Sequence, residues 1–134
     1  MTLRRAIAAA SLVGAAVAAY LTYVHYAHIS PICTTGGCEK VQSSSYAELA
    51  GIPVALLGLV AYGAIFATSL VRGVPAAFAG AVIALGGVAF SGYLLWAQLA
   101  RIHAICQWCV GNDVIAAVVA VLCVARMLTE PDGE

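Results

Sequence analysis

The chain has 134 residues, of which 63% are hydrophobic and 9% charged, and its formal net charge is zero. Soluble domains average about 45–50% apolar and about 25% charged residues, and a water-soluble fold of this length could not bury so much apolar surface in one core. The neutral charge balance offers no basic surface for nucleic acid. The composition therefore excludes a soluble domain and predicts one integral membrane domain over residues 1–134.

Four apolar windows are long enough to cross a bilayer, over about residues 6–24, 52–71, 74–99 and 105–125. A spanning helix needs roughly 20 mostly apolar residues, because the hydrocarbon core is about 30 Å thick and each residue rises about 1.5 Å. Backbone polar groups in lipid must be satisfied within their own segment, so windows of this length are helices. The predicted fold class is an all-α membrane protein, a bundle of four transmembrane helices.

The basic residues lie at the ends of these windows and indicate an orientation. Cytoplasmic flanks carry an excess of Lys and Arg. With the N-terminus inside, the inner flanks hold four basic residues and the outer flanks hold two: Arg4, Arg5, Arg72 and Arg126 against Lys40 and Arg101. This predicts a multi-pass protein of the inner or plasma membrane with both termini cytoplasmic. In the alternative, the first window is a cleaved signal peptide, which would leave three spans and move the C-terminus to the other side.

The longest stretch between windows is an outer loop over about residues 25–51. It holds a proline, a pair of glycines and a run of serines, so it begins as irregular chain. Residues 44–49 are predicted to form a short interfacial helix, capped by a serine and with Glu48 in its first turn. Pro53 then falls in the first turn of the second span, where proline is tolerated.

Four of the five cysteines form two close pairs on the predicted exported side. Cys33 and Cys38 lie in the outer loop, and Cys106 and Cys109 form a C-x-x-C where the fourth span begins. The exported compartment favours disulfides, whereas the cytosol keeps thiols reduced. The fifth, Cys123, falls near the cytoplasmic end of the fourth span and is interpreted as a small buried apolar residue.

A C-x-x-C at the start of a helix has physical reasons to be reactive. Residues three apart lie on the same face, and the positive end of the helix favours the thiolate, which is the form that attacks disulfides. In the loop, the glycines between Cys33 and Cys38 allow those two sulfurs to meet. The two pairs together predict a relay, in which the loop pair meets protein partners in water and the helix pair meets a partner in lipid.

Two other interpretations fit four cysteines. They could form a zinc site, because C-x-x-C beside a second close pair matches known ligand spacings. They could also form two structural disulfides in a membrane protein that is not an enzyme. Four cysteines allow three complete pairings, and the residues alone leave the pairing open. The enzyme is favoured because the long outer loop is built around the first pair.

Short motifs follow one another in a fixed order along the chain. A C-x₄-C in the first outer loop is followed by VQSSSYA at residues 41–47, by GIPVALLG at residues 51–58, and by CQWC at residues 106–109. This ordered set resembles the vitamin K epoxide reductase family in its prokaryotic form, over roughly residues 25–113. The four-helix disulfide-forming proteins of the B type carry their C-x-x-C in the first outer loop, which is the reverse order.

The resemblance implies a four-helix bundle around a quinone of the menaquinone or ubiquinone type, capped by the outer loop and its short helix. By position, Cys33 and Cys38 would be the shuttle pair that oxidises a thioredoxin-like (DsbA-like) exported protein. Cys106 would exchange with the shuttle pair, at Cys38, and Cys109 would lie closest to the quinone. Many bacterial members carry a fused thioredoxin-like domain. This chain ends at Glu134, so the expectation is a partner in trans and a thiol:quinone oxidoreductase that generates disulfides.

Three further residues are candidate quinone contacts. Ser44 matches the family's loop serine near the active site, and Trp108 lies between the two helix cysteines, although an aromatic belt also explains it. Animal members carry a tyrosine where this chain has Asp113, which favours quinone reduction over epoxide reduction. Acids in spans are costly and often functional, and quinone reduction takes up two protons, so Asp113 is a candidate proton donor. In the alternative it is an interfacial carboxylate bonded to Asn112 or to a nearby helix.

Overall fold

Four helices make up most of the chain that the computed structural model describes, which is residues 2–27, 48–49, 52–102 and 107–129. The helices are α1 (Leu3–Ala27), α2 (Val54–Leu70), α3 (Val74–Ala97) and α4 (Gln107–Thr129). A five-residue π-helical turn, Gln98–Ile102, extends α3. Among the described residues, these four helices correspond to the four predicted spans.

Three of the four helices are long and apolar enough to cross a membrane, and the fourth is shorter. α1, α4 and α3 with its extension meet both conditions, whereas α2 is an apolar helix of 17 residues. At about 1.5 Å per residue α2 is about 26 Å long, slightly less than a bilayer core of about 30 Å. Such a difference is accommodated by local thinning of the bilayer or by flanking residues.

A short hairpin of two strands, each two residues long, precedes α2. Glu48–Leu49 (β1) pairs antiparallel with Ile52–Pro53 (β2), with Glu48 opposite Pro53. The predicted interfacial helix is therefore wrong at its last two residues, and residues 44–47 lie outside the described part, as does the rest of the predicted capping loop. Pro53, at φ −57° and ψ 134°, is extended and directly precedes the helix, so α2 starts at Val54 rather than at residue 52. Two-residue connections that contain a glycine favour such hairpins, and residues 50–51 are Ala-Gly. At Glu48 and Leu49 this preference outweighs the serine cap that predicted a helix.

Each helix packs against two neighbours. α1 contacts α2 and α4, and α3 contacts the same two helices from the other side. Most of the buried core side chains are small or branched aliphatic ones: Ile7, Ala18, Ile65, Ala81, Ala84, Val119, Ala120 and Cys123, together with Tyr62. Small residues allow close approach between helices in lipid. The burial of Cys123 confirms its interpretation as a core residue.

Large apolar side chains also stand on the outer faces of all four helices. Leu12 on α1, Val60 on α2, Phe78 on α3 and Val121 on α4 each expose more than half of their surface. Contiguous apolar surface of this extent is rare on soluble monomers. Together with the helix lengths it identifies a multi-pass membrane protein whose outer faces contact lipid.

One end of the bundle is held by arginines that cap α2. Arg126 of α4 is 3% exposed and donates from Nη1 to Thr68 O at 2.8 Å and from Nη2 to Val71 O at 2.5 Å. Arg4 of α1 donates to Ser69 O at 3.4 Å. The last carbonyls of a helix have no partner within it, so these contacts complete the C-terminal end of α2. This is the end that the basic residues predict to be cytoplasmic.

We expect Arg126→Met to lower the free energy of unfolding by about 2–3 kcal/mol, because two part-buried hydrogen bonds from a charged donor to the end of α2 are lost. The measurement is reversible unfolding in detergent micelles. Arg72→Met is the matched control, because Arg72 is exposed and its loss should change stability by about 0.5 kcal/mol or less. Equal losses in both variants would show that net charge, rather than capping of α2, stabilises this end.

Candidate functional site

A partly open cavity of about 320 Å³ lies between α2, α3 and α4, with Leu21 of α1 at its wall. Its lining is mainly apolar, with a few polar side chains. Small-molecule sites have this character and begin at about 300 Å³. The cavity is therefore large enough for a small organic ligand.

The wall that α4 contributes follows the helical repeat. Cys109, Asn112, Asp113, Ala116 and Val119 all line the cavity, and residues spaced by three or four lie on one face of a helix. Cys109 is the third residue of α4, where the positive end of the helix favours a thiolate. The first turn of α4 thus presents a sulfur to the cavity, and the next turn presents an amide and a carboxyl group.

Four side chains form a polar belt inside this apolar cavity: Tyr62, Ser91, Asn112 and Asp113. The Tyr62 hydroxyl lies 2.9 Å from Asn112 Oδ1 and 3.2 Å from Asn112 O, and donates to them. The Ser91 hydroxyl makes a side-chain hydrogen bond to Asp113. The belt joins α2 and α3 to α4 at the level one turn deeper than Cys109.

One atom of the belt has no partner. Asp113 Oδ2 is buried, and among the described residues it makes no hydrogen bond. Buried polar atoms in folded proteins are nearly always bonded, so an exception calls for an explanation. Asp113 therefore has features of both interpretations. Its contact with Ser91 fits a carboxylate bonded to a nearby helix, and its unpartnered Oδ2, on a residue that lines the cavity, fits a proton donor.

The family model for the vitamin K epoxide reductase family matches residues 5–125. That range includes most of the chain and at least part of every helix. The chain belongs to the vitamin K epoxide reductase family. The resemblance carried by the ordered motifs is therefore confirmed.

Membership settles the general activity. The protein is a membrane oxidoreductase of the thiol–disulfide type, in a family that is associated with quinones and with thioredoxin-like partners. The interpretation as a membrane protein that is not an enzyme loses its support. Reduction of a specific quinone and oxidation of a specific partner are finer statements, which belong to the proposal below.

The structure describes only some of the predicted site residues. Cys109 and Asp113 line one cavity, on one face of α4, as their spacing predicts. Trp108 packs against Tyr20 of α1, with ring centroids 4.9 Å apart, and is not among the residues that line the cavity; its contact with a quinone stays a prediction. The remaining predicted residues lie outside the described part: Cys33, Cys38, Ser44 and Cys106.

Sequence reasoning missed four polar residues of the cavity. Tyr62, Ser91 and Asn112 complete the belt, and Gln98, which is 2% exposed, lines the cavity at the start of the π-helical turn. Such turns occur frequently at functional sites. A lone polar residue within an apolar span is the signal that could have identified them, because polar groups in membranes are costly and tend to face the bundle interior.

The cavity fits the quinone that the family implies. A quinone is a flat, mainly apolar ring that carries carbonyl oxygens as hydrogen-bond acceptors. The apolar walls suit the ring, and the belt supplies the Asn112 amide donors together with the unpartnered Asp113 Oδ2. Cys109 lines the same cavity, so a thiol and the belt border one space.

A large side chain placed in the cavity should block it. We expect Ala116→Phe to weaken binding of menadione, a two-ring quinone, by at least about tenfold, because Ala116 lines the cavity and added volume there must displace either ligand or packed side chains. Ala117→Phe is the matched control, because Ala117 is exposed on the next position of the same helix. Calorimetric titration of protein in nanodiscs measures both. Unchanged binding in Ala116→Phe would place the quinone elsewhere.

Proposed function

We propose that this protein is a thiol:quinone oxidoreductase that generates disulfides in exported proteins. It oxidises a thioredoxin-like protein in trans and passes the electrons through two cysteine pairs to a quinone of the menaquinone or ubiquinone type. The observation that carries the proposal is the position of Cys109, in the first turn of α4 and at the wall of an apolar cavity with a polar belt one turn deeper.

The electron balance fixes what the site has to do. Each disulfide formed from two thiols releases two electrons and two protons. A quinone held in the cavity would supply the two-electron acceptor, because its reduction to a hydroquinone takes up two electrons and two protons. The residues of the chain must therefore present a sulfur to the ring, deliver protons to its oxygens and exclude water from the cavity.

The cysteines move the electrons by thiol–disulfide exchange, in which a thiolate attacks a disulfide sulfur. Cys33 and Cys38 accept electrons from the partner protein, and Cys106 exchanges with Cys38. Re-formation of the disulfide between Cys106 and Cys109 passes the two electrons on to the acceptor. The assignment of the loop pair rests on the family resemblance and on its predicted exposure to water, and that of Cys109 also rests on its place in the cavity. Ser44 borders the same site by resemblance.

Asp113 holds and delivers a proton at Oδ2. The Ser91 hydroxyl fixes the carboxyl group from α3, and Oδ2 has no other partner among the described residues. A carboxyl group held in this way keeps one oxygen available for a proton. It lies four residues after Cys109 on the same face, so the electron donor and the proton donor are carried by one helix.

The charges support the orientation in the membrane. The arginine-capped end of the bundle is the cytoplasmic end, because basic flanks stay inside, and Arg4 and Arg126 both contact the C-terminal end of α2. Cys109 starts α4 and therefore lies at the opposite end. The cysteines then face the exported side of the plasma membrane, where disulfides persist.

We expect Cys109→Ser to abolish turnover with every donor, because the helix pair can no longer form a disulfide and pass two electrons to the acceptor. Cys33→Ser should abolish turnover with a reduced thioredoxin-like protein and retain it with a small dithiol that reaches the helix pair directly. The loss of quinone absorbance in the ultraviolet measures the rate. Cys123→Ala, at the buried cysteine, is the matched control and should keep wild-type turnover. Folded wild-type protein that reduces neither menadione nor a short-chain ubiquinone would refute the proposal.

We expect Asp113→Asn to lower turnover by about 10²-fold, which is within the range for loss of a general acid, because the amide keeps the shape but cannot give up a proton in the same way. Menadione binding should change little. Steady-state rates over a range of pH, with calorimetric binding as the control, measure both effects. Normal turnover in Asp113→Asn would show that the carboxyl group is structural.

A further inference from the structure

We infer that Asn112 binds one carbonyl oxygen of the quinone through its amide N–H groups and that Tyr62 is the positioning residue that sets its orientation. The inference rests on the proposed function, since it names how the same cavity recognises its acceptor. It follows from a hydrogen bond between two helices and from the close contact of a third helix behind it.

The first observation is how Tyr62 is bonded. Its side chain is 5% exposed, and its hydroxyl donates to Asn112 Oδ1 at 2.9 Å and approaches Asn112 O at 3.2 Å. A phenol that donates to the amide oxygen distinguishes the two ends of the Asn112 side chain. The oxygen faces Tyr62, and the NH₂ group is the end that remains to meet another acceptor.

The second observation is what remains unbonded at this level of the cavity. In the part of the chain that the structure describes, Asn112 donates no side-chain hydrogen bond, and the adjacent Asp113 Oδ2 has no partner. Polar groups that line an apolar cavity without hydrogen-bond partners are unfavourable. An acceptor oxygen that accompanies a bound ring would satisfy the amide, and protonated Asp113 would donate to the same kind of atom. Both requirements are met by a quinone carbonyl oxygen.

The third observation is the wall behind Tyr62. A Cβ atom added at Gly14 of α1 would stand 2.8 Å from Tyr62 Cδ1 and closer still to Cε1 and Cζ. The aromatic ring is therefore in contact with the backbone of α1 and has no room to move in that direction. α1 holds Tyr62, Tyr62 holds Asn112, and Asn112 faces the cavity, so the donor is oriented before any ligand arrives.

The arrangement predicts recognition of the carbonyl group itself. Calorimetry on wild-type protein in nanodiscs, with empty nanodiscs to correct for partition into lipid, would compare menadione with 2-methylnaphthalene, which has the same rings and no carbonyl oxygen. Asn112→Leu should weaken menadione binding by about tenfold, as expected for one good hydrogen bond. It should leave 2-methylnaphthalene binding unchanged, a difference that a merely structural role would not produce.

Tyr62→Phe tests the positioning role. It removes only the hydroxyl and should weaken menadione binding by about threefold to fivefold. In the Asn112→Leu background it should have no further effect, because the two residues act as one unit. Tyr23→Phe is the matched control, since Tyr23 is 63% exposed, and should bind as the wild type does.

Gly14→Ala displaces the Tyr62 ring from the side of α1 and should reproduce the effect of Tyr62→Phe on menadione, although Gly14 itself does not line the cavity. Gly63→Ala is its control, because a Cβ at Gly63 meets nothing within 4 Å. Steady-state kinetics should show the same order of variants in the KM for menadione, with the KM for the thiol donor unchanged.

Menadione binding that is unchanged in Asn112→Leu would overturn the inference, and so would an equal loss for menadione and 2-methylnaphthalene, which would indicate a collapsed cavity. These results are separate from the fate of the proposed function. If the wild type turns over and the KM for menadione is the same in Asn112→Leu, this inference alone is refuted. Carbonyl-dependent binding through Asn112 in a wild type that never reduces a quinone would refute the proposed function alone.

Discussion

A helix bundle in lipid gains little from hiding apolar side chains, because the lipid tails are as apolar as the core. Its structure depends instead on close packing and on the few polar groups that must find partners inside. In this chain the core side chains at the helix contacts are small, such as Ala18, Ala81 and Ala120. Contacts between such residues are too uniform to specify one arrangement, and the interhelical hydrogen bonds of Arg126 and Tyr62 supply the specificity.

These hydrogen bonds lie at the arginine-capped end of α2 and in the polar belt, and the two places differ in how completely their polar groups are hydrogen-bonded. At the basic end, Arg126 donates to two carbonyls and Arg4 reaches a third, so α2 ends in a bonded cap. In the polar belt, Tyr62 and Ser91 bond to α4, yet Asp113 Oδ2 has no partner among the described residues. Partly satisfied polar networks are unfavourable for stability. The polar belt lines the same cavity as Cys109, and a ligand in that cavity can supply the missing hydrogen-bond partner.

Periodicity in the sequence was enough to predict the parts that depend on one helix at a time. The four apolar windows became four helices, and the spacing from Cys109 to Asp113 placed both residues on one face of α4, which is the face that lines the cavity. The start of α2 was missed because Pro53 joins a hairpin with Glu48, a pairing that the helical reading of residues 44–49 did not consider. Tyr62 and Ser91 were missed for a different reason. Their importance comes from contacts with α4 across the bundle, and no local spacing in α2 or α3 encodes which residues of α4 they meet.

The candidate site likewise depends on both one helix and the whole bundle. Helix α4 supplies Cys109, Asn112 and Asp113, and the other helices orient the amide and the carboxyl group. One helix places Cys109 and Asp113 a single turn apart, about 5.4 Å along the axis, so the proposed electron donor and the proposed proton donor share a rigid frame. That frame does not orient the side chains by itself, because an amide or a carboxyl group on a helix can still rotate. Tyr62 from α2, held by Gly14 of α1, and Ser91 from α3 supply the missing constraint. Since each of the other three helices contributes one contact to the belt, the reactive geometry exists only when all four helices are packed, and the folding of the bundle and the assembly of its site are one event.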